Sequence, residues 1–74
     1  MVLYLSSGEI SIRIKESGKY NVSLTSMSGA VLFDTEMTLN ANADNVLTTG
    51  NLAGGIYILK LQNNSGTWVK KILR

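Results

Sequence analysis

An all-β fold, a sandwich or small barrel of seven short strands, is what the sequence predicts, and three observations carry the prediction. Apolar and polar side chains alternate with a period of two almost everywhere, the mark of strands with one dry and one wet side. Turn signals built from glycine, asparagine, aspartate and serine recur at short, regular intervals. No helical period survives along the chain, and TGNLAGG has room for a single turn at most.

The first strand is expected over residues 2–5, ahead of the turn SSGE at Ser6 to Glu9. The second, 9–15, reads EISIRIK, with Ile10, Ile12 and Ile14 on one face and Ser11, Arg13 and Lys15 on the other. ESGK at Glu16 to Lys19 separates it from the third, 19–26, where Tyr20, Val22 and Leu24 alternate with Asn21, Ser23 and Thr25. MSGA at Met27 to Ala30 leads into the fourth, 30–39, which sets Val31, Phe33, Met37 and Leu39 against Asp34, Glu36 and Thr38. NANADN at Asn40 to Asn45 precedes a short fifth strand, 45–49, and TTGNLAGG at Thr48 to Gly55 follows it.

The sixth strand, 55–62, is apolar on both faces: Tyr57, Leu59 and Leu61 on one, Ile56 and Ile58 on the other, with only Lys60 as relief. Such a strand is expected at the centre of a sheet with both sides covered, the second by this chain or by a partner. NNSG at Asn63 to Gly66 leads into the seventh, 67–73. There Trp68, Lys70 and Ile72 lie opposite Val69, Lys71 and Leu73; neither face is clean, and alternation does not decide which is buried.

Composition narrows the function classes. The 74 residues make one domain, residues 1–74, with no cysteine and no histidine. A disulfide framework and a thiolate metal site are therefore excluded, and the commonest metal ligand and neutral-pH base is missing. No cofactor is expected. A net charge of +2 is too small for phosphate-driven nucleic-acid binding, although three of the seven basic residues, Lys70, Lys71 and Arg74, fall within the last five positions. No apolar run approaches the ~20 residues that span a bilayer as a helix. Proline is absent too, which leaves strand edges without one of their usual guards against pairing.

Three stretches, SGKYNVSLTSMSGAVLFDTE, NLAGGIYILKL and GTWVKKILR, together resemble the C-terminal sorting domain of type IX secretion substrates of bacteroidete Gram-negative bacteria. The family's G-x-Y strand and following glycine turn are matched by Gly18, Tyr20 and Gly29. Its L-x-x-G-[IV]-Y segment is matched by Leu52, Gly55, Ile56 and Tyr57, and its Lys-rich apolar ending by Lys70, Lys71, Ile72 and Leu73. The resemblance runs over about residues 8 to 74. YLSSGE departs from it, lacking the Pro-Asn-Pro type turn that often follows the family's first strand.

The resemblance implies an immunoglobulin-like antiparallel β-sandwich of about seven strands, with no catalytic role. It implies an address borne by a cargo protein N-terminal to it, which crosses the inner membrane on its own signal peptide. The outer-membrane type IX translocon then recognises the domain in the periplasm and delivers the cargo to the cell surface or medium. A sortase-like surface peptidase usually removes the domain, often joining the cargo to an anionic lipopolysaccharide. On this reading the chain is a fragment of a larger exported precursor, and Met1 is the start of that fragment or an added initiator. Translocon recognition is expected at Lys70, Lys71, Ile72, Leu73 and Arg74, because a receptor that reads a C-terminus needs a free end, an exposed edge for main-chain pairing and charges for register. The plainer reading is an edge strand whose lysines guard against aggregation. It explains the lysines but not their place beside Arg74.

Enzymatic readings are weak. Ser6 or Ser7 near Lys15 or Lys19 is better read as a turn serine than as a nucleophile. Asp34 and Glu36 suit a solvated strand face better than a carboxylate pair, which needs a cleft. Asn40, Asn42 and Asp44 echo a calcium loop without its glycine or bidentate glutamate. Sequons at Asn21 and Asn63 are expected by chance in a chain this rich in Asn, Ser and Thr. Tyr20 and Tyr57 are expected to bury their rings and send their hydroxyls to the rim. Trp68 is expected in the core or between strands. An immunoglobulin-like accessory module, binding carbohydrate or spacing an exoenzyme, is the alternative function, and it predicts that Trp68 and a tyrosine share an exposed face. The doubly apolar GIYILKL and unguarded edges also predict a homodimer or strand exchange.

Overall fold

A computed structural model describes all residues, 1–74, as seven strands with no helix. In chain order these are β1 (Val2–Ser6), β2 (Glu9–Arg13), β3 (Gly18–Ser26), β4 (Val31–Leu39), β5 (Asn45–Thr48), β6 (Ile56–Asn63) and β7 (Gly66–Leu73). Each begins and ends within two residues of the span that alternation predicts. They form two antiparallel sheets, a three-stranded one ordered β1-β2-β5 and a four-stranded one ordered β4-β3-β6-β7, consistent with a sandwich. The chain divides into two compact units, Met1–Gly18 with Thr38–Leu52, and Lys19–Met37 with Ala53–Arg74.

In the three-stranded sheet the isoleucine alternation does what it predicts. Ile10 and Ile12 are fully buried, and Ile10 faces Leu47 across the β2–β5 ladder. Two-residue closure of the β1–β2 hairpin needs Gly8, whose φ of 76° is left-handed and whose carbonyl accepts from the backbone N–H groups of Thr49 and Gly50 at 2.9 and 3.1 Å. β2 stops at Arg13, two residues short of the expected span. Ile14 remains buried, but its carbonyl accepts from the Asn42 N–H in the loop and not from a neighbouring strand.

Asn45 holds that loop. Its Oδ1 accepts from the Asn40 N–H, and its Nδ2 donates to the carbonyls of Ile12, Asn40 and Ala43. Asn45→Ala removes all four bonds from a half-buried site and is expected to cost about 2 kcal/mol, read as a shift in the denaturant midpoint. Asn45→Asp is expected to be at least as damaging, because a carboxylate cannot donate and would face three carbonyl oxygens.

The four-stranded sheet has its dry side on β3 and β6. Val22, Leu24, Leu59 and Leu61 are essentially inaccessible, and the register sets Val22 against Leu61 and Leu24 against Leu59. The β3–β4 turn closes at Gly29, φ 92°, which donates to the Ser26 carbonyl. On β4, Leu39 is buried and Phe33 and Met37 half-buried, whereas Val31, expected with them, is exposed at the first residue of an edge strand. β6 lies inside its sheet as its composition predicts. Its second face is only half covered, with Ile56 and Ile58 partly exposed.

Candidate functional site: the open edge of the last strand

β7 has a strand neighbour on one side only. Two devices fix it against β6. At the turn, Asn63 Oδ1 accepts from the backbone N–H groups of Ser65 and Gly66 at 2.8 and 3.1 Å. At the far end, Gly55 and Arg74 exchange both backbone hydrogen bonds, at 3.1 and 2.9 Å. The register between these ends pairs Leu61 with Trp68, Leu59 with Lys70 and Tyr57 with Ile72.

That pairing decides which main-chain groups are free. Directly opposite residues in an antiparallel ladder alternate between bonded and non-bonded pairs. With Gly55–Arg74 bonded, the N–H and C=O groups of Trp68, Lys70 and Ile72 turn toward β6. Those of Thr67, Val69, Lys71 and Leu73 turn to the open side. The rim spans about 20 Å at the usual strand rise.

The two faces of β7, indistinct in the sequence, separate clearly in space. Ile72 is 2% exposed, and Trp68 is half-buried with its ring edge-on to Tyr20 at 5.8 Å. Lys70 lies on this same side but reaches solvent at the sheet edge. On the other side Val69 is 56% and Leu73 70% exposed, flanking Lys71. Lys70, Lys71 and Arg74 are exposed and make no ion pair; the chain's salt bridge joins Arg13 to Asp44 at 2.7 Å.

The expected recognition residues thus divide. Lys70, Lys71, Leu73 and Arg74 line an accessible rim, whereas Ile72 is buried and anchors the strand instead of presenting itself. Thr67 and Val69 also belong to the rim, and the sequence reading missed them. Only the short NNSG turn hints at the pairing that exposes their backbone.

The motif positions are structural supports for this hairpin. Tyr57 is buried and its hydroxyl donates to the Ala53 carbonyl at 2.7 Å, closing the loop that enters β6. Gly55 clasps Arg74, and Ile56 follows, half-buried across from Leu73. Tyr20 is buried against Trp68, Gly18 opens its strand, Gly29 makes the next turn, and Leu52 lies half-buried in the loop before β6.

The other candidates have ordinary surroundings. Asp34 and Glu36 are exposed on β4. Asp44 is engaged by Arg13, and that hydrogen bond, reinforced by the carboxylate's charge, raises the already high pKa of the guanidinium. Of the three tyrosines, Tyr20 and Tyr57 are buried at 3% and 7% exposed, and Tyr4 on β1 is 59% exposed.

The fold and the site together define a small all-β domain whose glycines and tyrosines tie down a final hairpin with one open rim. The chain belongs to the family of secretion system C-terminal sorting domains, whose model matches residues 6–74. It is therefore a type IX secretion sorting signal, of a family generally without catalytic function. Membership brings export across the outer membrane, the type IX machinery as partner and a cargo N-terminal to the domain. Apart from Ser6, β1 lies outside the matched residues. No curated protein and no solved structure matches the chain.

Proposed function

We propose that the outer-membrane translocon reads this domain by adding a strand to the rim of β7. The unpaired N–H and C=O groups of Thr67, Val69, Lys71 and Leu73 supply the main-chain affinity. Lys70, Lys71 and Arg74 meet acidic groups on the translocon and fix the register, while Leu73 and Val69 fill shallow apolar pockets. The single observation that supports this reading is the register set by the Gly55–Arg74 bonds, which turns four residues' backbone outward on an edge with unpaired cations. After passage, a sortase-like surface peptidase removes the domain and releases or attaches the cargo.

A fusion of a signal peptide, a fluorescent protein and residues 1–74, expressed in a host with this pathway, tests both levels. The intact fusion is expected at the surface or in the medium. The triple variant Lys70→Glu, Lys71→Glu, Arg74→Glu is expected to stay in the periplasm, folded. Export of that variant at the parent level would refute rim recognition, whereas periplasmic retention of the intact fusion would refute the sorting role itself. Loss of the domain from the delivered fusion, seen as a smaller band, reports the peptidase step.

A further inference from the structure

The four-stranded sheet ends in two open edges of opposite charge. β7 presents Lys70, Lys71 and Arg74, while β4 presents Asp34 and Glu36, all exposed and none in an ion pair. From this geometry we infer that the domain associates with further copies of itself head to tail, β7 of one copy pairing along β4 of the next.

Direction, faces and charge all agree. Successive strands of the order β4-β3-β6-β7 alternate in direction, so β4 and β7 run opposite ways. A simple translation of one sheet beside another therefore makes an antiparallel junction with dry sides aligned. Such a junction brings the exposed lysines of β7 to the exposed carboxylates of β4. Leu32 and Leu73, 46% and 70% exposed in the single chain, lie on the two edges that it joins.

Two-fold pairing is disfavoured by the same charges. A β7–β7 junction sets the Lys70–Lys71 pair against its own copy, and β4–β4 does so with Asp34 and Glu36. Charged edges guard against like edges but not against the opposite one. Because the junction joins different surfaces and leaves a free edge at each end, growth does not close at a dimer. This inference requires nothing of the translocon, and it stands or falls separately from the recognition reading.

Sedimentation velocity on the isolated chain across a concentration series tests it, using two charge-reversed variants. One carries Lys70→Glu with Lys71→Glu and so has two acidic edges. The other carries Asp34→Lys with Glu36→Lys and has two basic edges. Wild type is expected to grow past dimer as concentration rises, each variant alone to associate at least about tenfold more weakly, and an equal mixture to recover growth. Circular dichroism checks that the exposed substitutions leave the strands intact. Should either variant unfold, the neutral pair Lys71→Gln and Asp34→Asn gives the same reading, each alone weakening growth. A chain that stays monomeric, stops at dimer, or ignores both reversals overturns the head-to-tail junction.

Discussion

Proline at Lys70 is expected to unfold the four-stranded sheet, while proline one residue earlier, at Val69, is expected to leave it folded and stop secretion. The two positions differ in where their N–H groups point. That of Lys70 is bonded within the ladder to Leu59, and its loss leaves a carbonyl of the sheet without its donor at a cost of about 1–3 kcal/mol, besides the ring's own misfit in the strand. A chain of this length has only about 4–11 kcal/mol of stability to lose. The N–H of Val69 faces the open side, so its removal subtracts nothing from the internal ladder, and proline is tolerated on such an edge. It does take away one donor that an added strand needs, and the ring obstructs that strand's approach. Thermal unfolding followed by circular dichroism separates the first variant from the parent, and export of the signal-peptide fusion separates the second. Wild-type export of folded Val69→Pro would eliminate strand addition at this rim.

The contrast between those neighbours also marks what the sequence reveals. Strand positions are legible because alternation is local: Ile10 and Ile12, or Val22 and Leu24, declare their face without knowing their partners. The centrality of β6 is legible because Ile56 and Ile58 leave it no wet side. Sheet order is not, since it depends on pairing between residues far apart, and so β7 as an edge strand could only be suspected from its lysines. The faces of β7 were ambiguous for a physical reason. Lys70 sits on the dry side opposite Leu59, which a lysine tolerates at an edge because its aliphatic stem carries the ammonium out to water. Ile14 misleads in the opposite sense, continuing the apolar alternation after the ladder has ended, because a loop N–H takes its carbonyl. The family motifs are readable as residues, but their task is not: Tyr57 closes the loop that enters β6, and Gly55 clasps the end of β7 through Arg74.

Leu59→Ala should show how far that hairpin depends on the sheet beneath it. Leu59 is inaccessible, lies between Leu24 on β3 and Lys70 on β7, and faces the dry side, so truncation leaves a cavity that a central strand cannot easily close. The expected loss is about 3–4 kcal/mol, most of the stability available to the domain, with Tm lowered by roughly 15–25 °C. Ile58→Ala, next along the same strand, is expected to cost about 1–2 kcal/mol, because its face is already half open to water. Equal losses at the two positions, measured by urea titration, would mean that both faces of β6 are covered alike. If the rim is read as a formed strand, export should follow the folded fraction for Leu59→Ala and stay near the parent level for Ile58→Ala. Full export of a largely unfolded Leu59→Ala fusion would mean that the translocon recognises the terminal segment as an extended peptide, and the geometry that sets Thr67, Val69, Lys71 and Leu73 outward would then have no part in sorting.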